Sequence, residues 1–396
     1  MKTRAVPFIA ARAAARYAPV RILHVVDAMD RGGTETWLAD LLSRTDPVRF
    51  HHDVLTHAAG TAALEDAVRR SGSHLIQVTS ARRFWSSAAN FRRWNTEHGP
   101  YDVIHAHPHQ FCGLVLRSAA RAGIPVRIAH SHSDTRRIDA RANSARKLYL
   151  RLAKHWIRRY ATLGLAVSRP AAASLFGTAW ERDPRISVIY SGVNLEKFTR
   201  RSQSWAGIRH GLGFPPEAKV FAHVGRFAEP KNHIFLIEIF SRIAQLEPNA
   251  WFALVGDGPL RPTIEACIRR AGIADRTRLL GMRNDVPQIL ADVVDVLLLP
   301  SLWEGLPIVL IESQAAGIPA LYSDAITAEA EEVPQLLRRI SLQDSAGVWA
   351  LEAVGMAKAP PAARVCDRLS GGRFDIRSCV ARLEEVYSSS LLLEAQ

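Results

Sequence analysis

Two glutamates eight residues apart, Glu304 and Glu312, are the acidic residues of this sequence best placed to do chemistry. Glu304 lies in a turn with Gly305 and Pro307, and Glu312 lies about a turn into the apolar stretch that follows. A carboxylate inside an apolar helix is costly to bury without a partner. The hydroxyl pair of a sugar or ribose would be such a partner, and an internal arginine is the structural alternative.

Two basic residues, Arg226 and Lys231, follow the apolar segment 220–224. Gly225 precedes them, and a residue without a side chain lets the backbone approach a ligand closely. Two cations just beyond a strand suit a diphosphate, because each can make a charge-assisted hydrogen bond to its oxygens. The alternative for each of them is a solvated surface charge.

The turn and helix start at 305–308 add backbone donors to the same site. The first N–H groups of a helix have no partner within it and bind anions without a metal ion. No DxD dipeptide follows a predicted strand, so a metal-held diphosphate is not indicated. The sequence therefore predicts a metal-free anion site next to Arg226 and Lys231.

Short apolar runs alternating with helical patterns must position these residues. In the first half the predicted strands are 20–26, 52–56, 75–78, 103–106, 126–130 and 163–167. The alternation of strands and helices begins again near residue 219, with predicted strands at 219–224, 251–255, 277–280 and 296–299. Strands separated by helices imply parallel sheets covered on both faces. We therefore predict an α/β protein of two doubly wound, Rossmann-like domains that face a cleft, with ligands at the carboxyl ends of the strands.

The predicted domain boundaries are set by this alternation of strands and helices and by the composition of the segment between the two halves. A length of 396 residues suits two domains. We predict an N-terminal extension at 1–18, a first domain at 19–195, a linker at 196–216, a second domain at 217–360 and a tail with a helix at 361–396. The linker lies in a polar stretch rich in Gly, Ser and Arg.

Composition narrows the partners and the compartment. The 51 Lys and Arg against 38 Asp and Glu give a net charge of +13, which favours an anionic partner: nucleic acid, a phosphate-bearing ligand or an anionic membrane. The 4 cysteines lack the spacing of a zinc site or disulfide framework, which fits a reducing compartment. The extension 1–18 lacks the apolar centre of a secretion signal, so we expect a cytoplasmic protein.

Taken together, the motifs resemble glycosyltransferase family 4, whose members have the GT-B fold. The resemblance spans about residues 20 to 345 and includes Asp30–Glu35, Asp102–His107, Gly225-Arg226 with Lys231, Gly256–Pro259, Gly281–Val286, and Glu304 and Glu312 in an E-x7-E spacing. It implies a retaining, metal-independent hexosyltransferase. The co-substrate would be a nucleotide sugar, a UDP- or GDP-sugar, and no cofactor is implied.

Residue by residue, the resemblance implies a donor site in the second domain. Arg226 and Lys231 would bind the diphosphate, Glu312 the ribose hydroxyls, and the catalytic Glu304 the donor sugar. The further donor-binding residues are Gly305, Leu306, Pro307 and Ile308 at the distal phosphate, Arg283 and Asn284 at the base, Gly256 in its motif, and Gly32 and Gly33 in a loop of the first domain.

Histidines at the ends of first-domain strands are the other candidates. In the family, one such histidine contacts the transferred sugar, and this sequence offers His130 and His132 for that catalytic role. Both lie on one face of the strand, so the choice between them stays open. A polar loop histidine is the structural alternative. We predict that His107, which alternates with His105, lines the acceptor site.

The stretch 323–329 departs from the family, because it replaces a Gly-rich turn. In this stretch and at 127–132, the sequence is similar to a subgroup that acts in capsular and exopolysaccharide assembly. That similarity implies a glycan or polyprenyl-linked acceptor. The resemblance also implies that the last helix, near 380–387, crosses back to the first domain.

The stretch 142–160 combines a basic and an apolar face at helical spacing. The basic residues are Lys147, Arg151, Lys154 and Arg158, and the apolar residues are Leu148, Leu152 and Trp156. Helices of this type lie on anionic membranes. The alternative is a surface helix whose apolar side chains pack into the first domain.

Three other functions fit the sequence less well than a transferase does. No nucleic-acid-binding motif is visible, so nucleic acid is not predicted as a partner. A dehydrogenase would need a G-x-G-x-x-G fingerprint after the first strand, and this sequence lacks it. The nearest alternative is a sugar-nucleotide epimerase of the same fold, which would bind the same donor and use no acceptor.

Overall fold

The computed structural model describes residues 18–29, 32–57, 64–78, 84–85, 87–198, 205–358 and 366–393. Almost all of the predicted N-terminal extension therefore lies outside the described residues. The same holds for Asp30 and Arg31 of the first motif, for 199–204 in the predicted linker and for 359–365 near the predicted end of the second domain.

A seven-stranded parallel sheet forms the first half. Its strands are β1 (Val20–Val26), β2 (Phe50–Thr56), β3 (His74–Gln77), β4 (Val103–Ala106), β5 (Val126–Ser131), β6 (Leu163–Ala166) and β7 (Ile186–Val188), in the spatial order β3-β2-β1-β4-β5-β6-β7. The helices are α1 (Gly33–Leu42), α2 (Glu65–Arg70), α3 (Ala88–His98), α4 (Cys112–Ala122), α5 (Arg136–Ala140), α6 (Ser144–Tyr160) and α7 (Arg169–Phe176). The strands read as apolar runs because helices cover both faces of the sheet.

A six-stranded parallel sheet forms the second half. Its strands are β8 (Lys219–Val224), β9 (Ala250–Val255), β10 (Thr277–Gly281), β11 (Val296–Leu299), β12 (Ala320–Ser323) and β13 (Leu337–Ile340), in the order β10-β9-β8-β11-β12-β13. The helices are α8 (Trp205–Gly211), α9 (His233–Leu246), α10 (Arg261–Arg270), α11 (Val286–Asp292), α12 (Ile308–Ala316), α13 (Ala346–Lys358), α14 (Cys366–Leu369) and α15 (Ile376–Leu393).

Both sheets confirm the prediction of two doubly wound, Rossmann-like domains. The strand order reverses direction between β1 and β4 in one sheet and between β8 and β11 in the other. Crevices at such switch points are where open α/β sheets bind ligands. The structure adds the strands β7, β12 and β13 and the helices α5, α7, α8, α13 and α14, which the sequence did not predict.

The last helix, α15, packs against the first domain rather than the second. Cys379, Leu383 and Tyr387 are buried in a core with residues of β1, β4 and α1. The Tyr387 hydroxyl lies 2.8 Å from Nδ1 of His105 in β4, and the Trp37 indole N–H donates to the Cys379 sulfur at 3.4 Å. The first domain therefore completes its core with a helix that follows the second domain in the chain.

The two domains also contact each other directly. The Ser168 hydroxyl, at the start of α7, donates to the Gly305 carbonyl at 2.6 Å. The Arg137 guanidinium donates to the Leu302 carbonyl at 3.0 Å. These bonds bring the loop after β11 against the carboxyl edge of the first sheet.

Candidate active site

The loops that follow β8 and β11 meet because these two strands are neighbours. The Lys231 ammonium lies 2.6 Å from Oε1 of Glu304, and the Ser301 hydroxyl donates to the same oxygen at 2.8 Å. The nearby Arg226 side chain is exposed, and no described residue pairs with its guanidinium. Two of the predicted donor residues are thus bonded to each other, and a third is free to bind a ligand.

The start of α12 faces the first domain. Pro307 precedes the helix, and no side chain caps its first N–H groups. A Cβ at Gly33 would lie 3.3 Å from Cδ1 of Ile308, so the glycine loop of the first domain touches this helix start. At Gly305, a Cβ would overlap the carbonyl oxygen of His132. The absence of side chains at both glycines lets the domains approach here.

Glu312 lies on α12 and is partly exposed. No described residue hydrogen-bonds to its carboxylate, so the internal arginine considered as an alternative is not its partner. Burial raises the pKa of this carboxyl to about 7, with Lys197 lowering it and Asp40 raising it. A raised pKa of this kind is typical of functional sites, and hydroxyl donors from a ligand would stabilise the ionised form.

Three glycines bring the loops after β8, β9 and β10 close together. The Gly225 N–H donates to the Val255 carbonyl at 3.0 Å, and the Gly256 N–H donates to the Gly281 carbonyl at 2.8 Å. Gly256 has φ +135°, and a Cβ there would overlap the Gly225 carbonyl oxygen. Only glycine fits at this position, which keeps the backbone open beside Arg226.

The predicted base-binding segment lies at the end of β10. Arg283 forms two hydrogen bonds with the Asp285 carboxylate, at 2.8 and 2.6 Å, which fix the direction of its guanidinium. Asn284 is exposed and makes no side-chain bond to a described residue. Both remain accessible to a ligand.

Six histidines form a cluster that extends from the interior of the first sheet to its carboxyl edge. His24 lies in β1, His52 in β2, His105 in β4 and His130 in β5, and His107 and His132 come just after β4 and β5. Trp37 of α1 packs against three of these rings, with centroids 5.5 to 6.0 Å away. Sequence reasoning did not include His24 and His52. The available signal was a histidine in the middle of each of two apolar strands that register side by side.

Hydrogen bonds connect the rings in two rows. In the first row, His52 bonds to His24 at 3.0 Å, His24 to His107 at 3.1 Å, and His107 to His132 at 2.9 Å. In the second row, Tyr387 bonds to His105 at 2.8 Å, and His105 to His130 at 3.0 Å. The two rows are separate sets of bonds within one cluster.

Burial keeps all six rings neutral at pH 7. Desolvation, followed by repulsion from neighbouring histidines, holds the pKa of His24, His105, His107 and His130 well below the usual value of 6.5. The pKa of His52 falls to about 4, and that of His132 to about 3. Each ring therefore has one donor and one acceptor nitrogen.

The structure separates the three histidines predicted to line the site. His130 is fully buried, and its Nε2 has no partner among the described residues. His132 is partly exposed and lies against Gly305. His107 is only 6% exposed, and both of its ring nitrogens are bonded to other histidines. The geometry therefore places His107 behind His132, so an acceptor would reach it only by displacing another ring.

The nitrogens of His107, His130 and His132 are close enough together for one metal ion, since all lie within 4.8 Å of one another. Nitrogens that share a tetrahedral zinc ion at 2.0–2.1 Å lie about 3.3 Å apart. The one bonded pair among them, His107 Nδ1 and His132 Nε2, is 2.9 Å apart, which is the spacing of a hydrogen bond. The arrangement fits a hydrogen-bonded network better than an ion site.

Comparison with known families identifies both halves of the chain. The family model described as Glycosyltransferase Family 4 matches residues 31–197, and the one described as Glycosyl transferases group 1 matches residues 207–336. EpsF of Bacillus subtilis, which carries the name of a glycosyltransferase, is 31% identical over 375 residues, covering 93% of this chain and 97% of EpsF.

A second relative and a solved structure are similar over different lengths. The UDP-Gal:alpha-D-GlcNAc-diphosphoundecaprenol alpha-1,3-galactosyltransferase of Escherichia coli is 32% identical over 232 residues, 57% of this chain and 58% of that enzyme. The crystal structure of Anabaena HepE with UDP and glucose aligns with a TM-score of 0.77 at 21% identity, over 93% of this chain and 100% of HepE.

Proposed function

This chain belongs to glycosyltransferase family 4 and is a glycosyltransferase with the GT-B fold, and we propose that it moves a sugar from a UDP-sugar to a lipid-linked glycan acceptor. The transfer would retain the configuration at the anomeric carbon and would need no metal ion. Two relatives support this choice of substrates. The E. coli relative is named for a UDP-galactose donor and a diphosphoundecaprenol acceptor, and HepE was crystallised with UDP-glucose.

The observation that carries the proposal is the meeting of Lys231, Glu304 and the uncapped start of α12 beside a glycine loop of the first domain. Cleavage of the sugar–phosphate bond leaves negative charge on the departing diphosphate. Lys231, Arg226 and the N–H groups at the helix start would stabilise that charge where it develops. These groups supply positive potential without a divalent ion.

The remaining donor contacts follow from the placement of the side chains. Glu312, with its raised pKa and unbonded carboxylate, would accept the ribose hydroxyls. Glu304 would bind the sugar hydroxyls, and the partly exposed His132 would contact the sugar from the first domain. No carboxylate is assigned as a general base, because the leaving phosphate oxygen would accept the proton of the acceptor hydroxyl.

The surface of α6 supports an acceptor at a membrane. Leu148 is 68% exposed and Leu152 44% exposed, whereas the helix packs through Leu150, Ala153 and Ile157. The two leucines predicted to be either membrane-facing or packed inward thus lie at the surface, beside the exposed Lys147 and Arg151. This surface would rest on anionic lipid at the inner face of the cell membrane.

No helix among the described residues is long and apolar enough to span a bilayer. In this proposal the surface of α6 makes the contact with lipid. The stretches 127–132 and 323–329 are similar to a subgroup that acts in capsular and exopolysaccharide assembly. On that ground we extend the proposal to assembly of exopolysaccharide or a related cell-surface glycan.

The test is a panel of nucleotide sugars. We expect UDP, and not NAD or oligonucleotides, to raise the melting temperature, and one UDP-sugar to be slowly hydrolysed without acceptor. NMR of the first-formed product would give its anomeric configuration, and turnover should persist in EDTA. Release of an altered free monosaccharide would instead identify an epimerase. Loss of turnover in EDTA would overturn the metal-free mechanism.

A further inference from the structure

We propose that His52, His24 and His107 form a directional chain of hydrogen bonds that fixes His132 as a hydrogen-bond donor, with its proton on Nδ1. The first three are positioning residues, because they act on a ligand only through His132. The inference rests on the proposed function in one respect: the ligand atom that accepts this bond would be an oxygen of the bound sugar.

The chain is directional because its three bonds are made in the same sense. Nδ1 of His52 bonds to Nε2 of His24, Nδ1 of His24 to Nε2 of His107, and Nδ1 of His107 to Nε2 of His132. A neutral imidazole has one N–H and one acceptor nitrogen. Since every bond needs one donor, all four rings carry the proton on Nδ1 or all four carry it on Nε2.

His52, at the buried end of the histidine chain, selects between these two arrangements. His52 is only 5% exposed, and its Nε2 has no partner among the described residues. A proton on that nitrogen would be a buried N–H without an acceptor, which folded proteins rarely contain. With the proton on Nδ1, His52 donates to His24, and the same arrangement then holds for every ring. The proton of His132 is therefore on Nδ1.

The near end of the chain is open to a ligand. His132 is partly exposed, and no described residue bonds to its Nδ1. Its Nε2 accepts the bond from His107, so it has no free lone pair for a proton from an acceptor hydroxyl. This arrangement excludes His132 as a general base and makes it a donor to a sugar oxygen.

The second row of bonds offers a matched control. His105 is fully buried in the same sheet and bonds to Tyr387 and His130, but not to any ring of the chain. Replacing His105 therefore perturbs the same core without breaking the chain. At the far end, His52→Phe removes the first donor, whereas His52→Asn keeps an N–H near the position of Nδ1.

The tautomers can be read from ¹⁵N NMR of protein labelled at histidine, with single substitutions for assignment. We expect a protonated Nδ1 on His132 in the unsubstituted protein, in His52→Asn and in His105→Phe. In His52→Phe we expect a mixture of tautomers at His132. A proton on Nε2 in the unsubstituted protein would overturn the proposal even if His52→Phe failed to fold. Binding of one zinc ion per protein molecule through His107, His130 and His132 would overturn it as well.

Kinetics then connects the chain with catalysis. We expect His52→Phe to lower kcat/KM for hydrolysis of the UDP-sugar by about two- to tenfold, the worth of one neutral hydrogen bond, with the dissociation constant of UDP unchanged. His52→Asn should restore the rate, and His105→Phe should not reduce it selectively. An equal rate in His52→Phe would contradict the inference. If no nucleotide sugar is used at all, the proposed function fails, and the NMR result still decides the chain.

Discussion

The ammonium of Lys231 lies 2.6 Å from the carboxylate of Glu304, across the carboxyl ends of the adjacent strands β8 and β11. The two side chains are only 18% and 13% exposed. In the free protein, each therefore neutralises the charge of the other. A bound diphosphate would compete with Glu304 for Lys231, and the carboxylate released from that bond would be available to the sugar.

Glu304→Gln should separate binding from turnover. We expect transfer to fall by at least about 100-fold, because a charged contact to the reacting sugar is lost. The affinity for UDP should stay equal or increase, because the amide competes less for Lys231. Calorimetry and a product assay would measure the two quantities, and Glu229→Gln, at a nearby exposed acid, is the control. Unchanged turnover would remove Glu304 from the mechanism.

The pair Arg226→Ala and Lys231→Ala should weaken UDP binding by about 3 to 5 kcal/mol, since two charge-assisted bonds to the diphosphate are lost. Lys219→Ala is the matched control, because Lys219 begins β8 at the opposite end of the strand. Titration calorimetry at two salt concentrations would also show a smaller salt dependence in the double variant. An unaltered dissociation constant would refute both assignments.

Glu312 should make UDP binding depend on pH. Its pKa is raised from 4.5 to about 7, so the free protein takes up a proton there as the pH falls through 7. Only the ionised carboxylate accepts two ribose hydroxyls, and we expect UDP affinity to fall between pH 7.5 and 6. Comparison with Glu312→Gln, measured in the same buffers, separates this effect from titration of the nucleotide.

The same raised pKa affects stability. The folded protein holds more protons than the unfolded chain between pH 4.5 and about 7, so the contribution of Glu312 to the free energy of unfolding decreases as the pH rises through this window. In Glu312→Gln, the part of the pH dependence of the free energy of unfolding that comes from this carboxyl should disappear. An identical pH dependence of binding in the variant would contradict the role given to Glu312.

Gly305→Ala should disturb the contact between domains. The added methyl group would overlap the carbonyl oxygen of His132, and we expect a loss of stability of about 1 to 3 kcal/mol together with impaired transfer. Gly355→Ala is the control, because Gly355 lies in α13 with open space around a Cβ, where alanine is the better helix former. Urea unfolding and the transfer assay would measure both variants.

The exposed leucines of α6 should determine vesicle binding. We expect Leu148→Glu with Leu152→Glu to abolish co-sedimentation with anionic vesicles while leaving UDP affinity unchanged. Leu246→Glu is the control, since Leu246 is 45% exposed in the second domain. High salt should release the unsubstituted protein. Equal binding to neutral vesicles would argue against the basic face of α6.

The sequence predicted ten of the strands because each contains a short run of mainly apolar residues followed by a helical pattern. It did not predict β7, which has only three half-buried residues, or β13, where Arg338 and Arg339 are exposed at the sheet edge. It also did not predict β12, since the stretch after Pro319 was read only as a departure from the family pattern. Edge strands and short strands lack the apolar pattern that full burial imposes.

The sequence predicted those parts of the candidate site whose residues lie close together in the sequence, directly after a strand. The bond between Lys231 and Glu304 depends on β8 and β11 being neighbours, which is a matter of topology rather than spacing. The histidine chain depends on strand register: His24 is aligned with His105 across β1 and β4, and His52 lies two residues before the position of β2 that is aligned with His24. One sequence does not contain that alignment until the strand order is known.

The packing of α15 determines the order in which the polypeptide can mature on the ribosome. The second domain encloses a core of its own, built from residues 221 to 354. The first domain is synthesised earlier, yet Leu383 and Tyr387 of α15 are part of its core. The nascent first domain therefore leaves the ribosomal exit tunnel with the apolar surface that α15 covers still exposed. Its core is completed only after α15 has been synthesised. The core cluster between residues 221 and 354 of the second domain, in contrast, is fully synthesised before α15.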